Sequence, residues 1–203
     1  MDDKRGDASQ RPTPHYPLML DLTAETIFVI GAGHELGIRL QTLKDYRAGR
    51  VHVFAADPSA EARALAGDKL IDRWPSLEDF ASLRPRIAFI ADVADADAAR
   101  WRGLAKQHGA LVHVQDRIPL CDFHLPAILR RGSLQITVST DGAAAGLSRL
   151  LRNYIGENVF GPEWEARVDE VSAARIQWKK EGLTMGVLGQ AIAKMLKDRG
   201  WLK

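Results

Sequence analysis

A chain of 203 residues, 46% hydrophobic and 27% charged, can bury one sizeable core with a smaller appendage, which excludes a disordered or fibrous protein. With 28 basic residues against 26 acidic ones the formal charge is only +2, so no whole-molecule field draws the chain to nucleic acid or to a membrane surface. The single cysteine, Cys121, excludes an internal disulfide, and no stretch is apolar enough to span a bilayer or reads as a signal peptide; both suit a reducing, cytoplasmic setting.

The opening residues 1–15, "MDDKRGDASQRPTPH", mix charge with two prolines and carry no apolar period, so a loose tail is expected there. From Tyr16 onward, short apolar runs rich in β-branched residues alternate with segments of helical period. The runs "TIFVI" (26–30), "VHVFA" (51–55), "IAFIA" (87–91), "LVHVQ" (111–115) and "LQITVS" (134–139) read as strands. Helices are expected over 34–46, 59–66, 77–82 and 95–108, the last closed by Gly109. Strands alternating with helices imply an α/β protein with a doubly wound parallel sheet. Beyond Thr140 the strand signal stops, and from Ala144 the apolar residues recur at helical spacing, interrupted at Gly161-Pro162.

The first strand runs into "GAGHELG", residues 31–37. In a nucleotide-binding βαβ unit one glycine makes the tight turn, a second lets backbone approach the pyrophosphate, and a third lets the helix pack close on the strand, while the helix N-terminus offers free N–H groups to the anion. Gly31 and Gly33 fit the first two tasks. Leu36 stands where the third glycine is expected, with Gly37 one residue late, and His34 and Glu35 open the helix. The Glu35 carboxylate suits the bare helix dipole but repels a bound phosphate. After the second strand, Ala56 and Asp57 are placed to meet the ribose of a dinucleotide. A plain tight turn explains the same glycines, so the motif alone leaves both readings open.

The order of segments along the chain resembles the precorrin-2 dehydrogenase family, which includes the dehydrogenase-ferrochelatase part of siroheme synthases. "YPLMLDLTAETIFVIGAG" (16–33) is similar to that family's start, "VHVQDRIPLCDFHLPAILRRGSLQITVSTDG" (112–142) to its catalytic strand and the segment that follows, and "LSRLLRNYI" (147–155) to its next helix. The resemblance implies a Rossmann-like nucleotide-binding domain over 16–117, a dimerisation segment over 118–146 and a small helical domain over 147–203. It further implies a homodimer that holds a tetrapyrrole, oxidation of precorrin-2 to sirohydrochlorin with NAD as cofactor, and in some members insertion of ferrous iron, with no resident metal. The family's essential aspartate carries over to Asp116, where an open α/β sheet binds its ligands. Ser139, Thr140, Gly142, Arg149 and Arg152 are candidates for the substrate, with capping of the next element as the other reading of the two hydroxyls and a solvated surface position as the other reading of the arginines.

The departures from the family cluster on the cofactor side. Three glycines followed by valine, alanine and an Arg-Lys pair are replaced here by a stretch in which only Arg39 keeps the charge, and "IADVADADAARW" leaves Asp92 as a displaced counterpart of the family's acidic residues, with no asparagine. After the Val-Ser-Thr strand, Ala145-Gly146 stand where the family has Ser-Pro. A redox-inactive paralogue that binds or metallates a tetrapyrrole without NAD is the alternative reading. His113 and His124 match no metal-ligand spacing and are expected to be structural or at the surface. Arg130 and Arg131, like Arg149 and Arg152, are candidates for the substrate's carboxylates; Trp164, Trp178 and Trp201 are expected in core or subunit contacts.

Overall fold

The computed structural model describes residues 15–202, so the loose tail expected over 1–15 lies, but for His15, outside the described residues. The chain divides into two compact units that meet in sequence between His124 and Leu125.

The first unit alternates strands and helices: β1 (Thr26–Ile30), α1 (His34–Asp45), β2 (Arg50–Phe54), α2 (Ala60–Ala66), β3 (Leu70–Ile71), α3 (Leu77–Leu83), β4 (Ile87–Ile90), α4 (Asp95–Gln107) and β5 (Leu111–Val114). All pairings are parallel and the strand order is β3-β2-β1-β4-β5, the doubly wound Rossmann-like sheet expected from the sequence. All five residues of β1 are buried, because helices cover both faces of the sheet; hence "TIFVI" is a continuous apolar run rather than an alternating one. Its side chains divide between two cores. Ile27 and Val29 pack with Leu36, Leu40 and Leu43 of α1, whereas Phe28 and Ile30 pack with Phe80 and with Ala98 and Trp101 of α4. Strand order reverses between β1 and β4, so a crevice opens at the carboxyl ends of those two strands.

Helices α2 and α3 begin at serine caps. Ser59 accepts the Ala62 N–H at the start of α2, and Ser76 with Asp79 forms a capping box on α3, whose carboxylate is also gripped by both Arg73 nitrogens at 2.7 and 2.8 Å. Strand β3, only two residues long, carries too little sequence for its period to register.

In the second unit β6 (Ala127–Arg131) and β7 (Leu134–Val138) form an antiparallel hairpin, followed by α5 (Ala145–Asn158), α6 (Trp164–Lys180) and α7 (Met185–Asp198). The run at 134–139, expected beside the other parallel strands, therefore belongs to a separate sheet. Only Gly132 and Ser133 connect it to β6, and a parallel pairing needs a crossover of a dozen residues or more. Gly132 takes a φ of +57°, as a two-residue hairpin loop requires. Among the described residues no helix is long and apolar enough to cross a membrane.

Candidate functional site

The glycine turn is built against the end of β4. Gly31 donates its N–H to the Phe54 carbonyl at 3.0 Å, and a Cβ there would collide with the Ala91 carbonyl. Gly33 is the N-cap of α1 and offers no side-chain cap. That task is done from 57 residues away: Asp92 Oδ2 accepts the backbone N–H of Glu35 at 2.8 Å and of Leu36 at 3.4 Å. A Cβ on Gly33 would stand 2.6 Å from the Asp92 carboxyl carbon. The helix end where a pyrophosphate is expected thus carries a protein carboxylate.

Leu36, at the position expected for the third glycine, is fully buried among Ile27, Val29 and the rest of the α1 core and packs the helix against the sheet. Gly37, offered by the sequence as a late substitute for the third glycine, faces away from the sheet: a Cβ there would touch Leu65 of α2 at 3.4 Å. The reason is the start of α1 at His34, which turns position 36 inward and position 37 toward α2.

An open groove of about 630 Å³ runs from the turn between α1 and α2. Ala32, Gly33, His34 and Thr42 line one wall, and Ser59, Glu61 and Leu65 the other. No Lys or Arg lines it, and Glu61 supplies a carboxylate. Ala56 and Asp57 follow β2 nearby in sequence, with Asp57 exposed.

Asp57, Asp92 and Asp116, two or three residues past the ends of β2, β4 and β5, all have left-handed backbones, with φ of 53°, 53° and 58°. Asp and Asn tolerate that region better than other residues with a Cβ, which is why short polar residues mark these chain reversals at the carboxyl edge. Asp116 is exposed and accepts a hydrogen bond from Gln115 Nε2 at 3.0 Å. Beside it, Arg117 donates from Nε to Asp95 at 2.7 Å and from Nη2 to the Val93 carbonyl at 2.8 Å, pinning the β4–α4 loop to the β5 end.

Below Asp116, His113 forms a cluster with two aromatic rings, Phe123 with its centroid at 5.7 Å and Phe89 at 6.2 Å, while the Arg39 guanidinium lies 4.8 Å over Phe89. Burial first, then Arg39 and His124, push the His113 imidazole down to about 4, against the pull of Asp116. Burial likewise lowers Arg39, with Glu35 opposing. His113 is therefore a neutral, structural histidine near pH 7. No group of three His, Cys, Asp or Glu side chains is arranged to hold a metal ion among the described residues.

The substrate candidates of the second unit have local partners. Thr140 Oγ1 accepts the Ala144 N–H at 3.0 Å and shares a hydrogen bond with Ser148, and Ser139 Oγ accepts the Asp141 N–H at 3.1 Å. Together they shape the turn into α5 around Gly142, whose φ is +83°. Arg149 is exposed. Arg152 donates to the Ile128 carbonyl at 3.4 Å, but its buried Nε has no partner. Arg131 is spent on the carbonyls of Arg130, Gly156 and Phe160, and Arg130 donates to that of Gly132. Trp164 is buried against Phe160, and Trp201 has the guanidinium groups of Arg167 and Arg199 within 5.5 Å of its ring.

A glycine turn at a topological switch point, with an adjoining groove and a carboxylate at a strand end, defines a dinucleotide-binding protein with a candidate acid-base residue. Comparison with known proteins gives the family. A model described as putative NAD(P)-binding matches residues 18–127, more than half of the chain, and the chain belongs to that family. A second model, for the central part of sirohaem biosynthesis proteins, matches residues 131–158. Curated relatives include a siroheme synthase of Neisseria meningitidis serogroup C, 33% identical over 141 residues, and one of Sodalis glossinidius, 29% identical over 185. These alignments take in 68% and 82% of this chain but only 29% and 38% of the relatives, so the chain spans well under half of their length. A solved structure of SirC, precorrin-2 dehydrogenase, shares the fold with a TM-score of 0.68 over 93% of both chains at 20% identity.

The cofactor expected from the sequence, NAD, agrees with the family. The turn brings Gly31 and Gly33 against the end of β4, where a Cβ at either would collide with Ala91 or Asp92, and the groove between α1 and α2 opens beside it. The phosphate seat itself is held by Asp92. Sequence reasoning put Asp92 on the cofactor side without its capping role, and it missed Thr42, Ser59 and Glu61 of the groove. The right-handed β1–α1–β2–α2 connection, which sets α1 beside α2, is the signal that finds those three.

Proposed function

We propose that the chain is a precorrin-2 dehydrogenase of siroheme synthesis, oxidising precorrin-2 to sirohydrochlorin with NAD. The observation that carries this reading is the succession, within one chain, of the NAD(P)-binding match and the sirohaem-biosynthesis match, with Asp116 inside the first of them, just past the end of β5. The oxidation removes two hydrogens from the macrocycle. Bound NAD supplies the hydride acceptor; Asp116, exposed and ordered by Gln115, takes the accompanying proton and passes it to solvent.

Gly31, Gly33, His34 and Glu35 line the dinucleotide's approach, and Asp57, aided by Ala56, meets its ribose. A groove with Glu61 and no basic side chain favours NAD over a cofactor bearing a 2′-phosphate. Arg149 and Arg152 take carboxylates of the tetrapyrrole, while Ser139, Thr140 and Gly142 shape a loop that meets it. Asp116 also serves chelation, receiving pyrrole protons as ferrous iron enters as a substrate. The enzyme works as a homodimer in the cytoplasm. A redox-inactive tetrapyrrole-binding protein is the second reading, and the carboxylate on the phosphate seat is what favours it.

Anaerobic incubation with precorrin-2 and NAD, followed by absorbance, tests the proposal. The wild type should form sirohydrochlorin, and Asp116→Asn should lower the rate by about 100-fold or more with circular dichroism unchanged, since an exposed edge residue adds little to packing. Wild-type rates in the folded variant would remove Asp116 from the reaction.

A further inference from the structure

We propose that Asp92 is a built-in competitor of the cofactor: its carboxylate occupies the pyrophosphate seat in the free protein and must leave before a dinucleotide can bind. The inference rests on the reading of NAD as the cofactor and adds to it a residue that sets the affinity.

Three observations carry it. First, Asp92 Oδ2 takes the N–H groups of Glu35 and Leu36, donors at the α1 N-terminus that a phosphate oxygen would use, at 2.8 and 3.4 Å. Second, the carboxyl group lies against Gly33, whose missing Cβ leaves the space that a pyrophosphate needs; a Cβ there would stand 2.6 Å from the Asp92 carboxyl carbon and 2.7 Å from its Oδ2. The same room cannot hold both groups. Third, the loop that carries Asp92 is fixed on both sides. The Ala91 N–H donates to the Ile30 carbonyl at 2.9 Å, and Arg117 holds the Val93 carbonyl at 2.8 Å and Asp95 at 2.7 Å. The backbone is anchored around the left-handed Asp92, so the side chain, rather than the loop, is the part free to withdraw by rotation about its own bonds.

Charge sharpens the competition. Glu35 is already in the first turn of α1, so a dinucleotide arriving with Asp92 in place would meet two carboxylates at one helix end. The helix dipole is then satisfied by the protein itself: free α1 is well capped, and NAD replaces a cap instead of supplying one. Weakened NAD binding and a stabilised free protein are two faces of one contact.

The test compares wild type, Asp92→Asn and Asp92→Ala by calorimetric titration with NAD and by thermal unfolding with and without NAD. Asp92→Ala loses the cap and the charge, so without NAD it should melt about 2–4 °C below wild type. It should nevertheless bind NAD about tenfold more tightly or better. Asp92→Asn keeps an acceptor oxygen but no charge, so it should fall between the two and cover the case in which the alanine variant folds poorly. NAD binding that is unchanged in both variants overturns the proposal, and binding that is weakened makes Asp92 a cofactor ligand and overturns it too. In both of those results NAD still binds and the dehydrogenase reading stands. If no variant binds NAD, the competitor role and the dehydrogenase reading fall together.

Discussion

His113 shows how one residue's surroundings set a property of the whole protein. With burial, Arg39 and His124 pushing its imidazole down to about 4, the folded protein resists a proton that the unfolded chain accepts near pH 6.5. Below pH 6.5 the unfolded state therefore binds more protons, and stability falls as pH drops from about 6.5 to about 4; above that window it is fully present. The loss is up to about 3 kcal/mol. His52, lowered by burial and by Arg50, adds to the same slope. Urea midpoints at pH 7 and pH 5 should differ markedly for wild type and much less for His113→Gln; equal differences in the two proteins would show that His113 does not carry the effect. The sequence left the histidine as structural or at the surface, because no ligand spacing surrounds it. Its aromatic neighbours were not, since Phe89 lies in another strand and Phe123 beyond β5.

At the scale of elements, the sequence foretold the helices of the first unit and every strand but the two-residue β3 to within a residue or two, because buried parallel strands are unbroken apolar runs and the helices between them carry Ser or Gly punctuation. What it left out depends on contacts distant in the chain. Asp92 caps α1 across 57 residues, and no local pattern announces a cap that arrives from another loop. The hairpin was hidden because "AILRR" has no β-branched alternation of its own and gains its pairing only beside "LQITV". Leu36 is a further case. It stands where the third glycine of the turn is expected, yet α1 turns it into the core at 0% exposure. Leu36→Ala should thus cost about 2–5 kcal/mol of stability, read as a lower denaturant midpoint, with a smaller effect on NAD binding once the protein is folded. A variant as stable as wild type would contradict the burial described here.

For the whole molecule, the second unit leaves an apolar stripe uncovered: Leu147, Leu150, Leu151 and Tyr154, at positions i, i+3, i+4 and i+7 of α5, are 41% to 67% exposed. A helix face of that kind is expected to meet a partner, and a second copy of the chain is the partner proposed. Light scattering should report a dimer, and Leu150→Glu with Tyr154→Glu should yield monomers; a wild type that stays monomeric at high concentration would contradict the assembly. The sequence reading divides the chain after its tail into three parts, at 117 and 146, whereas the two compact units of the structure meet between His124 and Leu125, within the expected dimerisation segment, because the β6–β7 hairpin packs with the helices that follow it. The central claim, the proposal that this chain is an NAD-dependent dehydrogenase of a tetrapyrrole, is tested most directly by mixing the purified protein anaerobically with precorrin-2 and NAD and following NADH and sirohydrochlorin together by absorbance. The account requires the two to appear in equal amounts, and precorrin-2 that binds to the protein yet stays unoxidised, with no NADH formed, would contradict it.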